Sequence, residues 1–153
     1  QMRDEMIRLQ IVGTGSYEEE LKQMAKELEV KHQVEFFGYC PRENLKNLYN
    51  ASDCFILPSM TESFGIVFAE AMACGLLVIG GRVGGVSDLV REENGILIEP
   101  GNIAQIISSI KILKNDRSLF DQMSKANRIR VEKHYHWRGI SEKYLDIYRA
   151  AAN

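Results

Sequence analysis

Along the first hundred residues, short apolar runs alternate with helical patterns, and this rhythm restricts the fold more than any other feature of the chain. Leu9 to Val12, Val34 to Phe37, Cys54 to Leu57, Leu77 to Gly80 and Ile96 to Ile98 are each bounded by glycine, proline or a charged segment, which reads as five strands. Helical patterns fill the gaps. Tyr17 to Leu28 places Leu21, Met24, Ala25 and Leu28 on one stripe and Glu and Lys on the other face, so its apolar side is expected to lie on a sheet. Glu43 to Asn50, opened by Pro41, is a second helix, and Phe64 to Cys74, ended by Gly75, a third. Strands alternating with helices predict an α/β fold with a mainly parallel sheet. After the last strand only helices follow, over Ile103 to Leu113, Ser118 to about Val131 and Trp137 to Ala151, with breaks at Asn115-Asp116 and His134-Tyr135-His136. No internal repeat is visible. With 153 residues, 45% of them hydrophobic, the chain reads as one globular domain over 1–153, closed by a helical segment over 116–153.

Charge and cysteine content remove several classes of function. The net charge is -2, from 19 Lys and Arg against 21 Asp and Glu, which argues against an electrostatic nucleic-acid binder. The three cysteines, Cys40, Cys54 and Cys74, are odd in number and widely spaced, a pattern of reduced residues rather than disulfides or metal ligands. The amino end is too charged for a signal peptide and no apolar run approaches about 20 residues, so no transmembrane segment and a cytoplasmic location are expected. A start at Gln1 reads as a piece of a longer protein.

Two carboxylates carry the chemistry. Phe64 to Cys74 is apolar nearly all round except for Glu70, and such a helix is normally buried. A carboxylate there needs a hydrogen-bond donor, a cation or a polar crevice; the choice lies between a structural ion pair and a ligand. Glu62-Ser63-Phe64-Gly65 leads into the same helix, so the amides of Phe64 to Val67 and the positive end of the helix dipole favour an anion such as a phosphate. Glu62 is either a capping or surface carboxylate or an acceptor for sugar hydroxyls. Anion donors beside two carboxylate acceptors suit a ligand both phosphorylated and rich in hydroxyls, which describes a nucleotide sugar. The glycine turns are less specific. Val12-Gly13-Thr14-Gly15-Ser16-Tyr17-Glu18 has Glu18 where a dinucleotide fingerprint has its third glycine, so NAD is not expected, and a plain turn explains it as well as a ligand does. Gly80-Gly81-Arg82-Val83-Gly84-Gly85 is either a structural turn or an anion cradle. On the final helix Trp137, Ile140, Tyr144, Leu145 and Tyr148 form one apolar and aromatic stripe, which either packs on this domain or docks on a partner domain.

At these residues the chain resembles the donor-binding C-terminal half of the retaining family 4, or group 1, glycosyltransferases of GT-B architecture. The resemblance runs through Leu9-Gln-Ile-Val-Gly-Thr-Gly, Val34-Glu-Phe-Phe-Gly, Leu48-Tyr-Asn-Ala-Ser-Asp-Cys-Phe-Ile-Leu-Pro-Ser, Glu62-Ser-Phe-Gly-Ile-Val-Phe-Ala-Glu-Ala-Met-Ala-Cys-Gly, Gly84-Gly-Val-Ser-Asp and Asn94-Gly-Ile-Leu-Ile-Glu-Pro-Gly. It covers nearly the whole chain, and two glutamates with seven residues between them in this context are far more specific than either alone. The resemblance implies a Rossmann-like parallel sheet with flanking helices. It implies that Glu62 faces the donor sugar as the catalytic carboxylate, and that the amides of Phe64, Gly65, Ile66 and Val67, with Ser63 beside them, approach sugar hydroxyls and the diphosphate. By the same likeness Glu70 accepts hydrogen bonds from the two ribose hydroxyls, and the backbone at Tyr39 and Cys40 meets the base. Chemistry would be front-face displacement with retention, without a metal or any cofactor beyond the nucleotide-diphosphate sugar itself.

The departures from that family matter too. Its diphosphate-clamping Arg and Lys lie on a strand and helix preceding Leu9, and Arg3 and Arg8 do not match them. The implied partner is an N-terminal acceptor domain of the same enzyme, so this chain alone is expected not to transfer sugar, and peripheral association with the inner face of a membrane is compatible with it. With strand order 3-2-1-4-5-6 the strand next to the crevice would be missing, so the strands at Leu9 and Cys54 either close up or leave a gap. Other classes fit less well. A noncatalytic α/β interaction module would bind a partner and no nucleotide. A receiver-like domain needs acidic residues at strand ends, which here are Gly13, Gly38 and Pro58. A phosphorylase relative needs a pyridoxal-binding lysine, and none is evident.

Overall fold

The structure is a computed structural model and describes residues 7–152. Five strands form where the apolar runs predict them, within a residue at each end: β1 Leu9–Val12, β2 Val34–Gly38, β3 Cys54–Leu57, β4 Leu77–Gly81 and β5 Gly95–Ile98. The helices are α1 Glu18–Glu27, α2 Arg42–Asn50, α3 Ile66–Ala73, α4 Val86–Leu89, α5 Ile103–Asn115, α6 Arg117–His134 and α7 Trp137–Ala151. Every strand pairing is parallel, and the strands fall into two sheets, β1-β2 and β3-β4-β5. The chain divides into two compact units, Gln1–Asn47 and Leu48–Asn153.

In the first unit Leu9 stands opposite Val34 and Ile11 opposite Phe36, after which the register slips so that Val12 faces Gly38. The slip lets the Gly13 amide donate to the Gly38 carbonyl at 2.7 Å. Helix α1 opens with Glu18, Glu19 and Glu20, the sign its N-terminal dipole favours, and Lys22 reaches both Glu18 and Glu19 at 2.8 Å. Its apolar stripe behaves otherwise than its periodicity predicts. Ala25 is buried, but Leu21, Met24 and Leu28 stand exposed: helical spacing creates an apolar face and does not by itself cover it. Arg8 donates to the His32 carbonyl at 2.6 Å; Arg3 lies outside the described residues.

The second unit is built around β4. All five of its residues are buried, as a central parallel strand covered on both faces requires. Leu77 and Ile79 join Ile98, Leu113 and Met123 in one apolar cluster, against which Ile106 and Ile110 of α5 and Leu119 and Phe120 of α6 pack. On the other face Gly80 lies against Phe68 of α3 and Val86 of α4, where an added Cβ would come within 3.0 Å of both side chains. Burying a Phe, Met or Leu of this kind contributes roughly 1.5–3 kcal/mol each.

Polar contacts tie α6 to this layer. Asn94 and Asn127 are fully buried; the Asn94 amide donates to Asn127 Oδ1 at 3.0 Å and to the Leu89 carbonyl at 3.1 Å, and Asn127 donates to the Leu76 carbonyl at 2.8 Å. Arg128 caps the end of α3 through the Cys74 carbonyl at 3.1 Å, and Arg130 reaches the carbonyls of Asp88 and Leu89 at the end of α4. Cations at helix C-termini meet the negative ends of two dipoles. Helices α5, α6 and α7 are each capped by a side chain at the start, from Asn102, Asp116 and His136. Asp116 ends α5 and starts α6 at once, which explains why the Asn115-Asp116 break is so sharp. On α7 no residue is buried, and Trp137, Tyr144, Leu145 and Tyr148 stand exposed; the stripe is not packed away among the described residues.

Replacing Asn127 by Leu removes one partner from each of two buried groups. Asn127→Leu should therefore lower unfolding free energy by about 2–4 kcal/mol, read as a reduced denaturant midpoint with an unchanged slope.

Candidate functional site

The loop Pro58 to Gly65 owes its course to glycines on a different segment. A Cβ at Gly81 would stand 2.5 Å from the Ser59 carbonyl oxygen, one at Gly85 would stand 2.6 Å from that of Ser63, and one at Gly84 would overlap the Glu62 carbonyl. The Gly85 amide donates to the Ser63 carbonyl at 3.1 Å. Backbone lies on backbone, with no room for side chains between. This close approach accounts for the Gly80 to Gly85 run as a packing device, whichever of its amides also meet a ligand.

The loop ends at Gly65, whose φ of 79° and ψ of 55° put it in the left-handed region. A Cβ there would be strained and would meet the Phe68 ring at 2.7 Å and Glu62 Cγ at 3.4 Å. Because Gly65 turns left-handed, α3 begins at Ile66 rather than at the expected Phe64. No side chain caps it, and the Gly65 carbonyl takes the Phe68 amide at 2.9 Å. Phe64 is thus outside the helix, 43% exposed, with its ring edge-on to Tyr135 at 6.0 Å. Ser63 is exposed and Glu62 half-buried.

Helix α3 is not buried all round, as its composition suggests. Phe68, Ala71 and Met72 are completely enclosed, while Ile66 and Ala73 are exposed and Val67, Ala69 and Glu70 half-buried. One face lies on β4; the other, with Glu70 at its margin, reaches the surface. The Tyr49 side chain lies close enough to feel the Glu70 charge. Tyr49 is buried at the end of α2, and burial, with the charges of Glu70 and Cys74, pushes its phenol up to about 12. Tyr49 is the residue that sequence reasoning missed. The available signal was its place inside the Leu48-Tyr-Asn-Ala-Ser-Asp run, five residues before the start of β3. The helix ends in a left-handed Gly75, with amides of Gly75 and Leu76 returning to the carbonyls of Met72 and Ala71.

Tyr39 and Cys40 belong to the first unit and follow β2. Tyr39 is 80% exposed, and the Cys40 thiol donates to the Pro41 carbonyl at 3.6 Å. The Gly13-Thr14-Gly15 turn, in the same unit, lines a groove of about 320 Å³ with Leu21 and Phe36. All three cysteines are free thiols. Burial, with the charge of Asp53, pushes Cys54 up to about 12. Among the described residues no three His, Cys, Asp or Glu side chains gather where they could share a metal ion, and no helix is long and apolar enough to cross a membrane.

The segment matched in known proteins includes the left-handed turn into the uncapped helix start, one glutamate before it and a second about one turn into the helix. Residues 1–130 match the family described as glycosyl transferases group 1, and the chain belongs to that family. It is 32% identical over 145 residues to an uncharacterized glycosyltransferase of Methanocaldococcus jannaschii, covering 94% of this chain and 37% of that protein. It is 31% identical over 149 residues to the sulfoquinovosyl transferase of Arabidopsis thaliana, covering 95% and 28%. The chain thus spans well under half the length of these relatives. Among solved structures it is similar to the sucrose-phosphate synthase of Thermosynechococcus elongatus, with a TM-score of 0.85 and 29% identity over 95% of this chain and 39% of that one. The Anabaena protein HepE, solved in complex with UDP, shares the fold with a TM-score of 0.89 at 23% identity, over 96% and 42%. The fold class expected from the sequence, the parallel α/β architecture of the C-terminal half of GT-B glycosyltransferases, is the one observed.

Two measurements check this geometry. Gly84→Ala should cost at least about 2 kcal/mol, because the added methyl meets the Glu62 backbone and φ is positive; Gly101→Ala, with positive φ but open space around it, should cost only about 1 kcal/mol. The folded Cys54 thiol keeps its proton where an unfolded one, with the ordinary value of 9.0, has lost it. The unfolded state then binds fewer protons, so Cys54 should lower stability as pH rises from 9 to about 12, a loss that Cys54→Ser removes from the pH profile of thermal unfolding.

Proposed function

We propose that this chain is the donor-binding domain of a glycosyltransferase and holds a nucleotide-diphosphate sugar at the start of α3. The observation that carries the reading is the junction itself. An uncapped helix N-terminus, reached through left-handed Gly65, stands between Glu62 and Glu70. Helix-start amides favour an anion and carboxylates favour hydroxyls, so the pair suits a diphosphate flanked by a sugar and a ribose. Membership of the group 1 family supports the same ligand class.

In this reading Glu62 faces the donor sugar, the amides of Phe64, Gly65, Ile66 and Val67 with Ser63 meet sugar hydroxyls and diphosphate, and Glu70 takes the two ribose hydroxyls. The backbone at Tyr39 and Cys40 takes the base. Transfer proceeds with retention as the acceptor attacks on the face that the diphosphate leaves. The chain's contribution is position and charge stabilisation by fixed amides rather than a protein nucleophile, and no metal has a part in it. Residues 1–153 act as a single donor domain, with 116–153 as its helical segment, and the acceptor is held by an N-terminal domain outside this chain. The proposal includes a cytoplasmic enzyme, with the inner face of a membrane as one place of work.

Calorimetry with UDP, GDP and ADP tests the ligand class. One of them should bind, and Glu70→Ala should weaken that binding by roughly tenfold to a hundredfold, the scale of a hydrogen bond to a charged group. Binding of none of the three would overturn the reading. Rapid sugar transfer by the 153-residue chain would overturn the assignment of the acceptor to another domain.

A further inference from the structure

We propose that Tyr135, at the junction of α6 and α7, is a positioning residue for the anion-binding turn, holding Phe64 so that the amides beside it are presented from a fixed place. The inference rests on the assignment of the Phe64 to Val67 amides to the diphosphate and goes beyond it by adding a residue from a distant helix end.

Local structure alone does little to hold Phe64. It lies outside α3, so the helix ladder does not fix it, and the next residue is Gly65, left-handed at a φ of 79° and of the most permissive residue type. Contacts from elsewhere hold it instead. On the main-chain side Gly85 presses so close that a Cβ there would stand 3.0 Å from Phe64 Cα, and the Gly85 amide donates to the Ser63 carbonyl at 3.1 Å. The peptide joining Ser63 to Phe64 is planar and trans, so a carbonyl bonded to Gly85 turns the Phe64 N–H to the opposite side. On the side-chain side the Phe64 ring meets the Tyr135 ring edge-on, with centroids 6.0 Å apart and planes at 62°. That lies within the range in which aromatic pairs attract.

Tyr135 is the fixed half of this pair. It is half-buried and closes α6, its amide donating to the Val131 carbonyl at 2.9 Å. Earlier in the same helix Asn127 donates to the Leu76 carbonyl at 2.8 Å, Arg128 to that of Cys74 at 3.1 Å and Arg130 to that of Asp88 at 2.6 Å. These anchors tie the end of α6 to the layer that carries α3. The ring contact is apolar, so it orders Phe64 without taking up any amide that the ligand would use. What it removes is the cost of ordering the turn on binding. Phe64 stands between Glu62, assigned to the sugar, and Glu70, assigned to the ribose, and is nearer in sequence to Glu62. The phosphate it meets is therefore the outer one, next to the sugar. A merely structural tyrosine would stabilise the fold and leave the contribution of that phosphate unchanged.

Calorimetry on the full chain separates the two roles by comparing each nucleoside diphosphate with its monophosphate: UDP with UMP, and the guanosine and adenosine pairs in parallel. The ratio of the two affinities reads the outer phosphate. Tyr135→Leu should lower that ratio about fivefold, and Tyr135→Phe, which keeps the ring, should leave it within about twofold, on the scale of one aromatic pair. An unchanged ratio in Tyr135→Leu, whatever happens to thermal stability, overturns the inference and leaves the anion assignment standing. An equal loss in Tyr135→Phe overturns it too, because the hydroxyl and not the ring would then be acting. If the unsubstituted chain binds the diphosphate no better than the monophosphate, the anion assignment itself falls and takes this role with it. Should Tyr135→Leu fail to fold, Phe64→Leu removes the ring on the other side of the contact, at a position 43% exposed. The same fall in the ratio supports the role, and an unchanged ratio overturns it.

Discussion

Main chain pressed against main chain, where Gly81, Gly84 and Gly85 meet Ser59, Glu62 and Ser63, is the constraint on which the rest of the second unit depends. The contact holds two loops that leave neighbouring parallel strands, β3 and β4, at the same end of the sheet. Ligands of open α/β sheets gather at the carboxyl ends of strands, and here that region is shaped by a hydrogen bond from Gly85 to Ser63 and by the absence of three side chains. Fixing the loop fixes Gly65 in its left-handed turn. Gly65 in turn fixes the first residue of α3, and the phase of α3 decides that Phe68 and Met72 face β4 while Glu70 comes to the margin. Glu70 is therefore placed by glycines that lie more than ten residues away from it in sequence.

Helix α6 secures the same layer by polar means. Asn127 joins Asn94 and the Leu76 carbonyl inside the fold, and Arg128 and Arg130 lie at the ends of α3 and α4. Gly75 has no side chain because the Arg128 guanidinium occupies that space. Such contacts are specific in direction, unlike apolar packing, so they set the position of α6 along its own axis as well as its distance from the sheet. A buried amide pair is worth most when every member is satisfied, and no buried side-chain polar atom among the described residues is left over.

Much of this was legible in the order of residues. The five strands stand where short apolar runs stand between glycines, prolines and charges; for β4, buried along its whole length, the reason is that a strand covered on both faces has to be continuously apolar. The ends of α3 and α5 are visible as Gly75 and Asn115-Asp116. Helix α4 was not legible: its four residues are too few for a period, and it exists because Val86 and Leu89 are drawn into the core. Exposure was misjudged in both directions. Leu21, Met24 and Leu28 look buried by spacing and are not, and the apolar α3 keeps an open edge. Periodicity records which residues share a face and carries no information on what covers it.

The sequence by itself determined the parallel α/β class, because that depends on short-range period and local turns; the two glutamates worth attention stood out by residue type and place, and the family was legible through the resemblance its motifs carry. Only the tertiary structure decided that the Gly80 to Gly85 run is required by backbone contact and that α3 starts at Ile66. It alone revealed that Glu70 stands at the margin of α3 with the buried Tyr49 near enough to feel its charge. Those are contacts between segments separated along the chain, and a one-dimensional pattern does not encode the distances at which distant segments meet.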